Sequence, residues 1–182
     1  MALAIVGAAG LALTKESEGI RYKTYIDPVG IPTACYGHTG RDVKLGQVYT
    51  QAQCDALLIQ DFKLHRAALV GPNNCIASAP LNQNQHDALL DFAFNVGVPK
   101  FCGSTLAKKV AARDYAGAAA EFPKWKYGKV NSQMTELPGL VKRRRKEVQL
   151  FTTPSTLPAG SSPTEALRAN LGTFGKVPQD QK

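Results

Sequence analysis

The chain has 182 residues, 44% of them hydrophobic, which suffices for the core of one domain or a compact two-lobed unit and excludes disorder throughout. Its net charge of +8 is placed late: residues 1 to 99 carry seven Lys/Arg against eight Asp/Glu, and residues 100 to 151 carry twelve against four. Such a basic half attracts polyanions, but the absence of zinc-finger spacing and a single Trp among scattered aromatics argue against nucleic acid.

Residues 2–13 are uncharged and rich in Ala and Gly. As a helix they would span about 18 Å, short of the roughly 30 Å hydrocarbon core of a bilayer. Only Met1 precedes them, so the basic n-region of a secretory signal is missing. They read as an apolar first helix packed on the body and ending near Glu18, with Gly19 as the residue that follows a helix. A carboxylate in that last turn opposes the helix dipole and costs stability.

From Tyr22 to about Val48 the pattern shortens into a β-hairpin or three-stranded sheet, punctuated by Pro28-Val29-Gly30, Gly37 and Gly40. Thr50 and Gln53 have the form of a capping box and open a long helix to about Val70, which would bridge two lobes before Gly71-Pro72-Asn73-Asn74 ends it. Asn82 and Gln85 form a second box for a helix through Phe92 to Gly97, whose apolar spacing indicates core rather than chemistry. Ser104 can cap a helix to about Arg113, Tyr115 to Phe122 makes a shorter one, and a last helix follows Leu137. Its run Lys142 to Lys146 reads as a solvated face. Beyond Phe151 the composition turns to Thr, Pro, Ser and Gly, a tail in which Ser162-Pro163-Thr164-Glu165 could start one short helix ending at Gly172.

Cys35, Cys54, Cys75 and Cys102 allow three pairings and contain no C-x-x-C. They read either as four buried thiols in a cytosolic protein or as two disulfides in an exported one. His38, His65 and His86 lack zinc-ligand spacing, so neither a metal nor a cofactor is expected.

The residues that carry chemistry lie between Glu18 and His38. Glu18 sits at a helix end, Asp27 follows nine residues later beside the turn, and Thr33 comes six further on. Cutting a glycosidic bond needs one carboxyl that stays protonated to assist the leaving oxygen and a second that stays ionised to manage water or the sugar's developing charge. A hydroxyl beside Asp27 can hold that water, and acids in separate elements leave room for it, which favours inversion.

The pattern E-G-x-R-x-x-x-Y-x-D-x-x-G-x-x-T-x-x-x-G-H-T-G resembles the active-site segment of phage-type lysozymes, the endolysins of glycoside hydrolase family 24. L-N-Q-N-Q-H-D-A-L-L-D-F-A-F-N-V-G and L-P-G-L-V-K-R-R-R-K-E-V-Q-L-F resemble the same family's central and closing helices, so the likeness covers about residues 14 to 151. It implies an α+β, mostly α, lysozyme fold: a small β-containing lobe and a helical lobe joined by the long helix. It implies cleavage of the β-1,4 bond between N-acetylmuramic acid and N-acetylglucosamine in peptidoglycan, with Glu18, Asp27 and Thr33 as the catalytic trio.

It pairs Cys35 with Cys54 and Cys75 with Cys102, and allows one arginine of the closing helix to reach back toward the cleft. Related endolysins begin with a signal-anchor segment that exports the enzyme and later leaves the membrane. Residues 1–17 are therefore either the first helix or a remnant of such an anchor, a transient inner-membrane tether for a protein of the host periplasm or wall. The expected partition is a catalytic domain over 1–151 and a tail over 152–182, acting as a monomer, with the basic C-terminal half meeting anionic wall or membrane surface. Pro32 before Thr33, and Tyr127 to Glu136 in place of a shorter Gly-containing segment, depart from the family pattern. Two rivals remain: a cysteine hydrolase using Cys35 and His86, and a non-catalytic wall-binding or membrane-disrupting basic protein, driven by residues 100 to 146, that has no need of Glu18.

Overall fold

The computed structural model describes residues 4–28, 30–70, 74–76 and 79–155. Residues 71–73 of the expected helix stop, Val29 and the short helix expected from Ser162 lie outside them.

The first helix, α1, runs Ala8–Glu18, so only part of the apolar opening stretch is helical. Its start has no side-chain cap of its own. Asp87, from another helix, accepts from the Gly7 N–H at 2.9 Å and so serves as a cap brought in by tertiary packing. The glycines make that approach possible, since a Cβ on Gly10 would sit 2.6 Å from Asp87 Cβ. Leu13 and Thr14 are buried on the same face.

Strands β1 (Arg21–Ile26), β2 (Pro32–Cys35) and β3 (His38–Thr39) form an antiparallel sheet in that order, as expected from the short spacing. Cys35 (φ 57°) and Gly37 (φ 92°) turn the chain between β2 and β3. The 20-residue helix α2 (Gln51–Val70) follows and spans about 30 Å. Its capping box forms: Gln53 Oε1 accepts from Thr50 N–H at 2.8 Å. Cys54, Leu58, Phe62 and Leu69 are its buried stripe. Three contacts fasten the small sheet and α1 to α2: the Cys35–Cys54 disulfide, His38 with Asp61, and Lys15 with Asp55 at 2.8 Å.

Helix α3 (Gln83–Val96) is the centre of the helical lobe. Asn82 and Gln85 form its capping box, and Gly97 (φ 87°) ends it. A five-residue helix absent from the sequence reading, α4 (Val98–Cys102), follows, and Cys102 is bonded to Cys75. Helix α5 (Thr105–Ala111) is capped by Ser104 and stops short of Arg113, which adopts φ 63°. Helix α6 (Tyr115–Ala119) also ends early, and the chain closes into a 3-10 turn, Phe122–Trp125, with Pro123 near its start.

Strands β4 (Tyr127–Val130) and β5 (Gln133–Glu136) then form a hairpin that sequence reasoning missed. Its tip, Asn131-Ser132, has φ 47° and 68°, the left-handed pair that a two-residue hairpin turn demands. Helix α7 (Pro138–Thr152) closes the domain against α3. Around Phe92 the core is aromatic, with Phe122 and Trp125 edge-on at 5.3 Å each. The architecture is the expected one: α+β, mostly α, with a small β lobe and a helical lobe joined by the long helix α2.

Candidate active site

Glu18 is the last residue of α1, and Gly19 leaves the helix at φ 66°. The mismatch between its charge and the helix dipole is met by Arg143 of α7, whose Nη1 donates to Glu18 Oε1 at 2.5 Å. Arg143 is 5% exposed and forks onto Asp91 of α3, with Nε to Oδ2 at 3.0 Å and Nη2 to Oδ1 at 2.9 Å. Thr14, one turn before Glu18 on α1, donates to the same Asp91 Oδ1 at 2.6 Å. Both α1 and α7 are thus bonded to one buried carboxylate on α3. Burial alone would weaken the Arg143 proton, but Asp91 and Glu18 outweigh it and hold the guanidinium more firmly charged than usual. Glu18 keeps a quarter of its side chain exposed, and Oε2 is the oxygen not taken by Arg143.

Asp27 and Thr33 are placed differently. Asp27 opens the turn between β1 and β2, where its N–H donates to Ile31 O and its Oδ1 accepts from Ile31 N–H at 2.9 Å. Thr33, on β2, is 4% exposed and donates to Ile31 O at 3.0 Å. The carboxylate and the hydroxyl therefore lean on the same residue from either side of one turn. With its proton committed to Ile31, Thr33 Oγ1 retains acceptor capacity for a water. The sheet bearing this pair begins at Arg21, three residues past Glu18.

The other sequence-level candidates fall out as follows. Cys35 is bonded to Cys54 and Cys75 to Cys102, with Cα separations of 5.0 and 5.3 Å, and no described cysteine is free. That leaves the cysteine-hydrolase reading without a thiol. His86 is 1% exposed beside Asp87, with Nδ1 3.2 Å from its Oδ1. The Lys142–Lys146 run is not simply a solvated face: Arg143 and Arg144 are buried, and Lys142 and Lys146 pair with Glu16. Only Arg145 projects outward without a carboxylate among the described residues. No group of described residues has the make-up of a metal site.

Sequence reasoning missed Asp91 and Glu147. The one available signal was charge out of place: Asp91 interrupts L-L-D-F-A-F in a helix with buried neighbours on both sides. Such a residue needs a partner, and a basic run later in the chain was the place to seek it.

The model of the phage lysozyme family matches residues 15–147. The chain belongs to the phage lysozyme family. It is 44% identical over 146 residues to an endolysin of Acyrthosiphon pisum secondary endosymbiont phage 1, covering 80% of this chain and 97% of that one. It is 38% identical over 134 residues to the SAR-endolysin of Escherichia phage Mu, covering 74% and 73% of the two chains. Among solved structures, the muramidase domain of SpmX from Asticaccaulis excentricus superposes with a TM-score of 0.76 at 35% identity, over 84% of this chain and all of that domain. The family match includes Glu18, Asp27, Thr33, Asp91 and Arg143, with the last turn of α1 and most of α7.

Proposed function

We propose that Glu18, Asp27 and Thr33 are the residues with which this phage lysozyme, a peptidoglycan hydrolase, cuts its substrate, and that the reaction inverts the anomeric centre. Glu18 donates a proton from Oε2 to the leaving glycosidic oxygen while Arg143 holds Oε1. A water on the opposite face of the sugar gives one hydrogen bond to Thr33 Oγ1 and one to Asp27, which takes up its proton as the water attacks C1. One observation carries this reading. A carboxylate anchored by a buried guanidinium at the end of α1 is followed, along the strand that leaves it, by a turn that presents a second carboxylate and a hydroxyl braced on the same residue, Ile31.

The bond cleaved is the β-1,4 link between N-acetylmuramic acid and N-acetylglucosamine. Incubating purified peptidoglycan with the wild type should release N-acetylmuramic acid reducing ends, and Glu18→Gln should not. N-acetylglucosamine ends, new peptide termini, or undiminished lysis by the variant would each contradict the reading.

The catalytic unit is residues 1–151, with 152–182 as a tail, and it acts as a monomer. The four cysteines work as the two disulfides, consistent with export to the host periplasm or wall. Export is also supported by the likeness to the SAR-endolysin of phage Mu. In this reading residues 1–17 serve first as an inner-membrane tether, after which Ala8–Glu18 pack as the first helix; no described helix is long and apolar enough to cross a membrane. Contact with anionic wall falls to the outer flank of α7, where a groove of about 450 Å³ is lined by Lys142, Arg145 and Lys146 together with Glu136, Pro138 and Val141.

A further inference from the structure

Glu147 is the buried acid that the proposed catalysis leaves unused. It lies on α7 one turn past Arg143 and Arg144, is 0% exposed, and neither of its carboxylate oxygens has a hydrogen-bond partner among the described residues. Its oxygens are 3.6 Å from Arg143 Nε and 3.2 Å from Arg144 Nε, close enough for charge attraction but not aligned for bonding. Arg144 is equally enclosed. Its Nη2 donates to Asn95 Oδ1 at 2.5 Å, its guanidinium lies 4.6 Å over the Phe92 ring, and Nε and Nη1 are unpartnered.

The groups around this cluster can be counted element by element. Helix α1 presents Thr14 and Glu18, helix α3 presents Asp91 and Asn95, and α7 contributes the two arginines. Lys124 of the 3-10 turn is directed to Glu121, and Tyr115 of α6 donates to Pro80 O. The cluster therefore holds two guanidinia, which never lose their protons, and three carboxyls. A buried set of this kind is neutral when two carboxyls are ionised and the third keeps a proton, and any other count leaves an uncompensated interior charge. Asp91 is ill suited to hold that proton, because its oxygens already accept from Thr14 and from both arms of the Arg143 fork.

We propose that Glu147 and Glu18 are coupled acids sharing one proton across Arg143 and Arg144, with Glu147 acting as a positioning residue for the proton that Glu18 uses. When Glu18 takes a proton from solvent, Glu147 gives up its own to solvent, and the carboxylate it leaves keeps the guanidinia balanced. After Glu18 has given its proton to the leaving sugar, Glu147 takes one up from solvent. Burial drives the Glu147 carboxyl well above the usual range; Arg144 and Arg143 pull it down, and the neighbouring Asp91 pushes it further up. The catalytic consequence rests on Glu18 being the general acid; the coupling itself does not.

The test labels glutamate carboxyls with ¹³C and follows Glu147 by NMR across pH in the wild type and in Glu18→Gln. Removing a like charge makes the remaining acid ionise more easily, so the Glu147 midpoint should fall by about one pH unit or more in the variant. Linkage is reciprocal, so the basic limb of kcat/KM in Glu147→Gln should move to lower pH by a similar amount, while Glu147→Asp, which keeps the charge, restores the limb toward wild type. A Glu147 midpoint indifferent to Glu18→Gln overturns the proposal, as does a folded Glu147→Gln with an unmoved basic limb. Should Glu147→Gln fail to fold, the midpoint in Glu18→Gln decides alone. Undiminished lysis by Glu18→Gln would instead remove the acid assignment, and the midpoint reports the coupling in that case too.

Discussion

The two sides of the site hold their carboxylates by opposite means. Glu18 is fixed by side chains drawn from three helices, through Arg143, Asp91 and Thr14, and most of that apparatus is buried. Asp27 is bonded to the backbone of its own turn, with Ile31 as a bracket it shares with Thr33. The first arrangement couples catalysis to the stability of the helical lobe. The second places it on one turn between two strands, and the contrast is what substitutions should expose.

The largest expected effects are on rate. Glu18→Gln and Asp27→Asn should each lower lytic activity by about 10²- to 10⁴-fold, the range for removing a general acid or base, and turbidity assays on peptidoglycan will measure it. The comparison is sharpened by thermal melts: Asp27→Asn should leave Tm nearly unchanged. Asp91→Ala should cost both activity and stability, about 3–5 kcal/mol in equilibrium denaturation, because it strands the buried Arg143 beside its remaining partners. A wild-type melt for Asp91→Ala would break the distinction between the two sides.

A smaller effect concerns the attachment of the hairpin side to α2. The Cys35–Cys54 bond closes a nineteen-residue separation, for which the chain-entropy model gives about 3 kcal/mol. Reduction should therefore lower Tm, and thiol titration of the denatured, unreduced protein should find no free cysteine. Four titratable thiols would contradict the oxidised state.

Least in size is a pH effect at the other attachment. His38 Nδ1 lies 2.9 Å from both oxygens of Asp61, and Nε2 is 3.2 Å from Asp42. Burial alone would lower the His38 value, but Asp61 and then Asp42 outweigh it, so the folded-state value is raised above 6.5. A raised value in the folded state means that this stabilisation is fully present below pH 6.5 and is lost as pH rises through the higher folded value. The Tm gap between wild type and His38→Gln should be widest in mild acid and shrink in alkali. A gap that widens with pH would reverse the assignment.

How much of this was legible in the chain follows from sequence distance. Glu18, Asp27 and Thr33 lie within one short segment and could be read as a pattern, and both capping boxes, Thr50 with Gln53 and Asn82 with Gln85, are local and form as read. The network that anchors Glu18 joins residues 52 and 125 positions apart, and no local rule links Arg143 to Asp91 or Glu18. The apolar spacing of the helix bearing Asp91 is that of any buried helix and by itself indicates core alone. The β4–β5 hairpin escaped notice for another reason: its strands are four residues each and almost wholly exposed, so no alternation between core and solvent marks them.

The central claim is that Glu18 acts as acid while a water held by Asp27 and Thr33 attacks from the other face. Inverting enzymes place their carboxyls about 6.5–9.5 Å apart to admit that water, and retaining ones about 5–5.5 Å for direct attack. Proton NMR of a defined peptidoglycan oligosaccharide, recorded immediately after cleavage and before mutarotation, reads the outcome directly. The first product should be the α-anomer. An initial β-anomer, or a glycosyl ester trapped on Asp27, would contradict the mechanism.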